Sequence, residues 1–327
     1  MKPLIVRIFT NFTVTNTSEL LGRSEEEFRS EGIELFFNRS GRADLVLVLN
    51  SVTSPRWVSV PRGRLIKILQ EPIVRNPLTH LFTYRHSRIF DEVLTHTPDP
   101  EDPRQVKSIP FLGSFVDPTT LTEQPFGRKN KMVSVIASTL AFLPGHKLRG
   151  EFIENLIRHF PELEPHLFGR GRKKELEKKI EGLENYRYSV AIENSVSPSY
   201  ITEKFYDCII AGCVPLYFGA PDIGDYFPKE SYITFPIDDF ERCGEIIQDL
   251  SVSDFEGRMP ALVEARALIR DRFSIGSVIL KYLTTSAELS PSSKKMVFLL
   301  RFDGLICMAQ KLGITKIPKR LYLKINK

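Results

Sequence analysis

The chain has 327 residues, of which 42% are hydrophobic and 26% charged, and this composition argues against a disordered chain. No window contains the roughly 20 consecutive apolar residues of a membrane-spanning helix. The formal net charge is +5, but residues 286–327 hold nine Lys and Arg against two acids, so the rest of the chain is nearly balanced. The basic character belongs to the tail.

Short apolar runs alternate with polar stretches in the first part of the chain. KPLIVRIF, ADLVLVLN, GRLIKILQEP and EVLTHTPD predict strands, and SEEEFRSEG predicts a helix. Runs rich in Val, Ile and Leu with little polar alternation are typical of a parallel sheet covered on both faces. The polar stretch VDPTTLTEQPFGRKNK predicts a linker, and we place a first domain at residues 1–125.

A second β–α series follows. The predicted strands are KMVSVIAST, PHLFG, YRYSVAIEN, CVPLYFG and SYITF. The predicted helices are LRGEFIENLIRHF, KKELEKKIEGL, ITEKFYDCIIAG, DFERCGEIIQDL and EGRMPALVEARALIRDRF. Such alternation favours a doubly wound α/β domain, which we place at residues 126–285, before a basic tail at 286–327. Two α/β domains predict a ligand cleft between them, at the carboxyl ends of the strands.

The stretch ITEKFYDCIIAG carries a cation where a helix disfavours one. Ile201, Phe205 and Cys208 recur at helical spacing, with Ser199 predicted as N-cap, so Lys204 falls near the first turn and opposes the helix dipole. Lys204 either reaches water or pairs with a neighbouring acid, or it awaits an anion such as a phosphate at the helix start. These alternatives remain open on the residues alone.

A second cationic stretch follows the strand KMVSVIAST. His146, Lys147 and Arg149 lie close together at a predicted helix start, where they are either a solvated basic turn or half of an anion site. Two cation-bearing helix starts in one domain would hold a diphosphate without a metal, with Arg as a fork and Lys as a point charge.

Two further groups lie at predicted strand ends. Glu193-Asn194-Ser195 follows an apolar strand, and Glu71 ends LIKILQ just before Pro72, which favours an extended backbone at Glu71. Each is either a polar turn or part of a ligand crevice. A carboxylate at Glu71 that faced the anion site of the other domain would suit a general base.

Other chemistries find no support. The chain contains no GxGxxG after a strand, no GxxxxGK[ST], no HExxH and no GxSxG, and its six His show no metal-ligand spacing. None of the four Cys forms a CxxC pair, so we expect buried, reduced thiols and no metal. The first residues, MKPLIVRIFTNFTV, do not resemble a signal peptide, so we expect a cytoplasmic location.

The stretch AIENSVSPSYITEKFYDCIIAGCVPLYFGAPDIGDYFPKESYITFPIDDF closely resembles the family-10 glycosyltransferases, the α-1,3/1,4-fucosyltransferases. The elements ENS, YITEK and AGCVP occur in the family order, and DDF follows them. LRGEFIENL resembles the family helix with a phosphate-binding Arg, which points to Arg149. LQEP resembles the element whose Glu is taken as the catalytic base, which points to Glu71.

The resemblance implies a GT-B fold, with two Rossmann-like domains facing across a cleft, and an inverting transfer from GDP-fucose without an essential metal or other cofactor. It implies that Glu71 deprotonates an acceptor hydroxyl and that Arg149 and Lys204 neutralise the diphosphate. Glu203 would contact the sugar or stabilise its cationic character. The residues that would shape the donor pocket are Glu193, Asn194, Ser195 and Tyr200.

The acceptor and the donor stay open. The absence of an anchor and of a terminal cysteine pair is more like the bacterial members that act in the cytosol on lipid-linked glycans, which predicts a role in surface polysaccharide, lipopolysaccharide or protein glycosylation. The alternatives are another nucleotide sugar or a non-catalytic nucleotide-sugar binding protein. The basic tail either packs on the domains or attaches the protein to the anionic inner face of the membrane. No motif predicts nucleic-acid binding.

Overall fold

The computed structural model describes residues 2–71, 77–96, 105–107, 110, 113–119, 129–139, 144–285 and 294–299. Its strands are β1 (Leu4–Thr10), β2 (Ile33–Phe37), β3 (Gly41–Arg42), β4 (Leu45–Leu49), β5 (Arg56–Pro61), β6 (Leu65–Leu69), β7 (Glu92–Thr95), β8 (Gln105–Lys107), β9 (Lys131–Ile136), β10 (Leu167–Phe168), β11 (Tyr186–Ile192), β12 (Val214–Phe218), β13 (Ile233–Thr234) and β14 (Lys294–Leu299).

Helices connect most of these strands. They are α1 (Thr17–Leu21), α2 (Glu25–Ser30), α3 (Pro77–Arg85), α4 (Pro144–His159), α5 (Glu203–Ile210), α6 (Phe240–Asp249), α7 (Val252–Arg272) and α8 (Ile275–Thr285). Short 3-10 turns occupy Ser87–Ile89, Pro161–His166, Lys179–Gly182, Ile223–Asp225 and Lys229–Ser231. The alternation of strands and helices confirms the predicted α/β class.

The chain divides into two compact units. Unit 1 comprises Met1–Thr15, Ser24–Ile109 and Val278–Lys327, and unit 2 comprises Asn16–Arg23 and Pro110–Ser277. Relative to the predicted limits, residues 16–23, 110 and 113–119 group with the second unit, and residues 278–285 group with the first. The predicted limit at residue 125 lies outside the described residues, as does most of the predicted linker.

Unit 1 contains a parallel sheet in the order β2-β1-β4-β6-β7-β8. All five residues of β4 and of β6 are buried, because strands in the middle of a sheet covered on both faces have no solvent side. A smaller sheet joins β14 antiparallel and β3 parallel to β5. The predicted basic tail thus contributes one described strand to unit 1, and its remainder lies outside the described residues.

Unit 2 contains a parallel sheet in the order β10-β9-β11-β12-β13. Its core is continuous and includes the face of α5 that carries Phe205, Cys208 and Ile209, as the helical spacing predicts. Burying a side chain of this size stabilises the fold by about 1.5 to 3 kcal/mol relative to leaving it exposed. Gly212, at φ 73°, ends α5 in the left-handed region that favours glycine.

The predicted helix KKELEKKIEGL is wrong. Residues 173–178 are irregular, and only Lys179–Gly182 forms a 3-10 turn. A tertiary contact overrides the helical propensity of this stretch, since the Lys179 ammonium lies 2.6 Å from the buried Asp207 carboxylate. An exposed helix would not place the Lys179 side chain there.

Candidate functional site

The candidate site of unit 2 lies where the strand order reverses. β9 is flanked by β10 on one side and by β11 on the other, and ligands of open α/β sheets bind outside the carboxyl ends of strands at such a point. Ser138 follows β9, and Glu193-Asn194-Ser195 follows β11 directly. The sheet topology therefore places the predicted strand-end residues at the expected position for a ligand.

Thr202, and not Ser199, is the N-cap of α5. The Thr202 side chain accepts the backbone N–H of Lys204, whereas Ser199 lies outside the helix at φ 62°, with its N–H donated to Asp222 at 2.8 Å. Sequence reasoning placed the cap three residues early. A Thr immediately before an acidic first-turn residue was the signal for the correct cap.

Glu193 anchors the start of α5 through hydrogen bonds to its N-cap residue. Its carboxylate accepts the N–H of Thr202 at 2.8 Å and the Thr202 hydroxyl at 2.7 Å, and the Lys204 ammonium lies 3.4 Å away. The Glu193 side chain is fully buried. A carboxylate with these partners fixes the geometry of the helix start, and Gly219 makes room for it, since a Cβ there would collide with Glu193.

Lys204 lies in the first turn of α5, as predicted, and it is compensated by acids. Its ammonium lies 2.9 Å from Glu203, 3.0 Å from the Thr202 hydroxyl and 3.4 Å from Glu193. Burial opposes the charge, but Glu203 and Glu193 outweigh it and raise the pKa of Lys204. The cation therefore persists at every physiological pH, and its side chain remains 18% exposed.

The two carboxylates around Lys204 titrate in opposite directions. Burial would raise the pKa of Glu203, but Lys204 and Lys179 lower it to about 2. Burial raises the pKa of Glu193, and the Glu203 charge adds to that shift. Glu203 is thus the permanently ionised acid of the site, next to a permanent cation.

Lys179 is the charged residue of this region that sequence reasoning missed. Its ammonium pairs with Asp207 at 2.6 Å, one turn along α5 from Glu203. Asp207 also accepts the Ser114 hydroxyl and the Phe115 N–H. Burial opposes the Lys179 charge, but Asp207 and Glu203 raise its pKa. Nothing in the run KKELEKKIEGL distinguishes this buried Lys from its exposed neighbours.

Arg149 is a buried cation at which we expect an anionic ligand. It lies on the second turn of α4, with 8% of its surface exposed, and its Nη2 reaches the Ser138 hydroxyl at 3.5 Å. Among the described residues, its buried Nε has no hydrogen-bond partner. Burial lowers the pKa of Arg149, although Glu203 and Glu193 act against that shift. Buried polar groups are normally hydrogen-bonded, so this guanidinium indicates a ligand.

Lys147 on the same helix is different. Its side chain is 74% exposed and its ammonium lies 3.7 Å from Glu151 in an i,i+4 pair. The predicted cationic helix start therefore separates into a surface residue, Lys147, and a buried residue, Arg149.

Asn194 and Tyr200 tie the strand end to the start of α4. The Asn194 side-chain N–H donates to His146 Nε2 at 3.1 Å, and the Tyr200 hydroxyl donates to Asn194 Oδ1 at 2.9 Å. Gly145 permits this approach, because a Cβ there would collide with the Asn194 carbonyl oxygen. Ser195 follows Asn194 and is half-buried. These residues connect the end of β11 to the start of α4, the helix that carries Arg149.

Glu71 belongs to unit 1. It is half-buried two residues beyond β6, its N–H donates to Asn50 Oδ1 at 3.3 Å, and its C=O accepts from His80 Nε2 at 2.9 Å. Pro72 lies outside the described residues, so the predicted effect of that proline does too. The carboxyl end of a central strand is nevertheless where the sequence predicts Glu71.

Within the described ranges, no group of His, Cys, Asp and Glu could hold a metal ion. Among those same ranges, we find no helix that is long and apolar enough to cross a membrane. Cys208, Cys213 and Cys243 are buried free thiols, as predicted, and burial raises their pKa. Cys307 lies outside the described residues.

Residues 126–257 match the family profile described as glycosyltransferase family 10 (fucosyltransferase) C-term. An alpha-(1,3)-fucosyltransferase B of Drosophila melanogaster is 28% identical over 126 residues, which are 38% of this chain and 28% of that protein. A GDP-fucose protein O-fucosyltransferase 3 of Rattus norvegicus is 46% identical over 47 residues, or 14% of this chain and 10% of that protein. The chain thus matches 28% of the length of the first relative and 10% of the length of the second.

A solved alpha-glucosyltransferase in complex with UDP and a 13-mer DNA shares the fold. It aligns over 86% of this chain and 99% of its own, at a TM-score of 0.52 and 10% identity. At that identity the likeness concerns architecture alone, namely α/β units with parallel sheets of the GT-B type. The family profile covers every predicted donor-side residue but not Glu71.

Proposed function

Because residues 126–257 match the family-10 fucosyltransferase profile, we propose that the protein transfers fucose from GDP-fucose to a hydroxyl group of an acceptor glycan. The names of its relatives support both the sugar and the guanosine diphosphate donor. The same relatives share only a part of their length with this chain, so both the donor and the acceptor are proposals for it.

The observation that carries the proposal is Arg149. Its guanidinium is buried at the topological switch point of unit 2, with its Nε lacking a hydrogen-bond partner among the described residues. A diphosphate would supply anionic oxygens that guanidinium groups bind as a fork. Lys204 at the start of α5 adds a fixed positive charge, and Glu203 and Glu193 hold that Lys in place. We propose that Glu203 contacts the sugar of the donor or stabilises its cationic character.

We propose that the reaction inverts the anomeric carbon. The acceptor oxygen attacks that carbon in line and forms the new glycosidic bond, while the bond from the carbon to the β-phosphate oxygen breaks. GDP leaves with the bonding electron pair, and the hydroxyl proton passes to the Glu71 carboxylate. Arg149 and Lys204 stabilise the negative charge that grows on the leaving diphosphate.

We also propose that the protein meets its glycan acceptor in the cytoplasm or on the membrane face that bounds the cytoplasm. The nine cations of residues 286–327 support the membrane, since each Lys or Arg near an anionic surface contributes about 1 kcal/mol. Full-length protein should sediment with anionic vesicles and not with neutral ones. Equal sedimentation of a chain that ends at Ser290 would contradict the role of the tail.

Nucleotide binding and turnover test the proposed function. Melting of the full chain is followed with GDP, UDP and ADP, and GDP release from GDP-fucose is followed with a panel of glycan acceptors. We expect stabilisation by GDP alone, of about 2.7 kcal/mol at a concentration 100 times the Kd, together with acceptor-dependent GDP release. Stabilisation without release for any acceptor would favour a binding protein, and indifference to every nucleotide would exclude the transferase.

A further inference from the structure

The backbone of Glu71 is held at both ends by buried side chains from two other elements of unit 1. Asn50 accepts its N–H, and His80 donates to its C=O. We propose that Asn50 and His80 are positioning residues that fix the direction of the Glu71 carboxylate for proton removal. The inference rests on the proposed role of Glu71 as the general base.

Asn50 combines two properties that few residues offer. It follows β4 at φ 55°, a left-handed conformation that Asn tolerates better than most side chains. Its own N–H donates to the Ile68 carbonyl at 2.7 Å, which fixes it against β6. From there its Oδ1 accepts the N–H groups of Gln70 at 2.9 Å and of Glu71 at 3.3 Å. One buried amide thus captures both peptides that leave β6.

His80, on α3, makes the second contact to the Glu71 backbone. Its side chain is buried, with the residue 1% exposed, and its Nε2 lies 2.9 Å from the Glu71 carbonyl oxygen. A carbonyl only accepts, so Nε2 carries the proton, and Nδ1 then accepts the Tyr84 hydroxyl at 3.2 Å. Burial, together with the charge of Lys67, lowers the pKa of His80 to about 4. The neutral donor is therefore maintained across the neutral range.

The two contacts restrain the part of Glu71 that sets where its side chain points. Bonds to the N–H and the C=O of one residue restrict its φ and ψ, and hence the direction of its Cβ. Neither contact involves the carboxylate. A general base must be placed to within about 0.5 Å, and groups that lock its position are part of such a site. The arrangement therefore suits a residue whose carboxylate acts on a substrate.

His80→Leu and His80→Gln form a matched pair. Leucine removes the donor, whereas the glutamine amide restores one near the position of Nε2. We expect kcat for fucosyl transfer to fall about 10- to 100-fold in His80→Leu, because a displacement of about 1 Å can cost that much. The KM for GDP-fucose and the Kd for GDP should not change, and His80→Gln should recover most of the rate. A parallel loss in both variants would contradict the proposal.

Asn50→Gly and Asn50→Asp provide an independent pair that does not depend on the packing of His80. Glycine keeps the left-handed backbone without strain but removes the acceptor, and aspartate keeps both. We expect kcat to fall about 10-fold or more in Asn50→Gly and to be largely retained in Asn50→Asp. If His80→Leu does not show cooperative melting, this pair alone decides, and equal rates in both variants would overturn the role of Asn50.

A double-mutant cycle separates this inference from the function on which it rests. Slow GDP release is measured for Glu71→Ala with and without His80→Leu. If His80 acts through Glu71, the second change lowers the rate no further in the Glu71→Ala background. An equal fold loss in both backgrounds overturns the inference. Normal transfer by Glu71→Ala overturns the role of Glu71 instead, and an absence of transfer by the wild-type protein overturns the proposed function.

Discussion

The two parallel sheets present charged residues at their carboxyl edges in opposite ways. In unit 2, Glu193 and Glu203 each pair with Lys204, and Glu193 and Lys204 also bond to Thr202, so the side chains themselves are fixed. In unit 1, the Glu71 contacts that fix its position are made to its backbone N–H and C=O. A preformed charge pattern suits an anion that is always ionised, whereas a base needs a defined direction for a carboxylate that exchanges protons.

This difference also decides which region is visible in a sequence. The unit 2 contacts join residues within the twelve positions 193–204, so they form one compact motif. Asn50, Glu71 and His80 come from β4, the end of β6 and α3, and their spacing has no period. The larger part of what we infer for unit 1 therefore depends on the structure.

The largest expected effect concerns the unit 1 edge. Glu71→Gln keeps the size and the backbone contacts of Glu71 but removes its basicity, so transfer should fall about 10²- to 10⁴-fold. GDP affinity should stay as in the wild-type protein. Steady-state rates and GDP titrations measure both. Glu34→Gln, an exposed acid of the same unit, is the control and should transfer normally; a Glu71→Gln enzyme as fast as this control would exclude Glu71 as base.

Glu193→Gln tests whether the Glu193 carboxylate holds the unit 2 edge. The change removes one of the two oxygens that accept the N–H and the hydroxyl of Thr202, and leaving a buried donor without its partner should lower the free energy of unfolding by about 1 to 3 kcal/mol. Glu151→Gln breaks the exposed pair with Lys147 and should cost no more than about 0.5 kcal/mol. Urea unfolding at pH 7 gives both values, and similar losses would refute the difference between the buried and the exposed pair.

Acid should act on the two regions in different pH windows. The unfolded chain protonates His80 near pH 6.5 but the fold only near 4, so this stabilisation is complete above 6.5 and is lost as the pH falls to 4. For Glu203 the corresponding window runs from 4.5 to about 2, and Glu193, with its raised pKa, acts in the opposite sense. At about 1.4 kcal/mol per pH unit, the losses for His80 and Glu203 amount to at most about 3.4 kcal/mol each.

Matched variants resolve these windows. The free energy of unfolding should change less between pH 6.5 and 4.5 in His80→Gln than in the wild-type protein, because the titrating imidazole is gone. Below pH 4.5, Glu203→Gln should lose less stability than the wild-type protein, because the carboxylate with the lowered pKa is gone. Parallel curves for His80→Gln and wild type over the first window would show that His80 does not titrate with folding.

The strands were predictable because short apolar runs rich in Val, Ile and Leu, such as those of β4 and β6, are typical of strands that are covered on both faces. The residue types of the site motif were predictable from the sequence, but the hydrogen bonds and ion pairs between them were not. Lys204 shows this: its position opposed to the dipole was visible, but the choice between an acid and an anion needed coordinates. The structure shows Glu203 as the acid, while the sharper need for an anion lies at Arg149.

Errors arose where distant contacts outweigh local preference. The stretch 173–183 has the composition of a solvated helix. Instead, Lys179 pairs with the buried Asp207, and the backbone forms only a 3-10 turn at Lys179–Gly182. Ser199 has the chemistry of an N-cap, but its bonds to Asp222 and Tyr226 take it out of the helix. Neither partner is adjacent in sequence, so local patterns could not identify them.

Calorimetric titration of GDP into wild-type protein, Arg149→Ala and Lys147→Ala tests the donor site most directly. Both variants remove one cation from α4, but only Arg149 is buried at the switch point. Hydrogen bonds to charged groups contribute about 1.5 to 3 kcal/mol, so Arg149→Ala should weaken GDP binding about 10- to 100-fold, and Lys147→Ala should bind as the wild type does. Equal affinities in all three proteins would contradict the donor site described here.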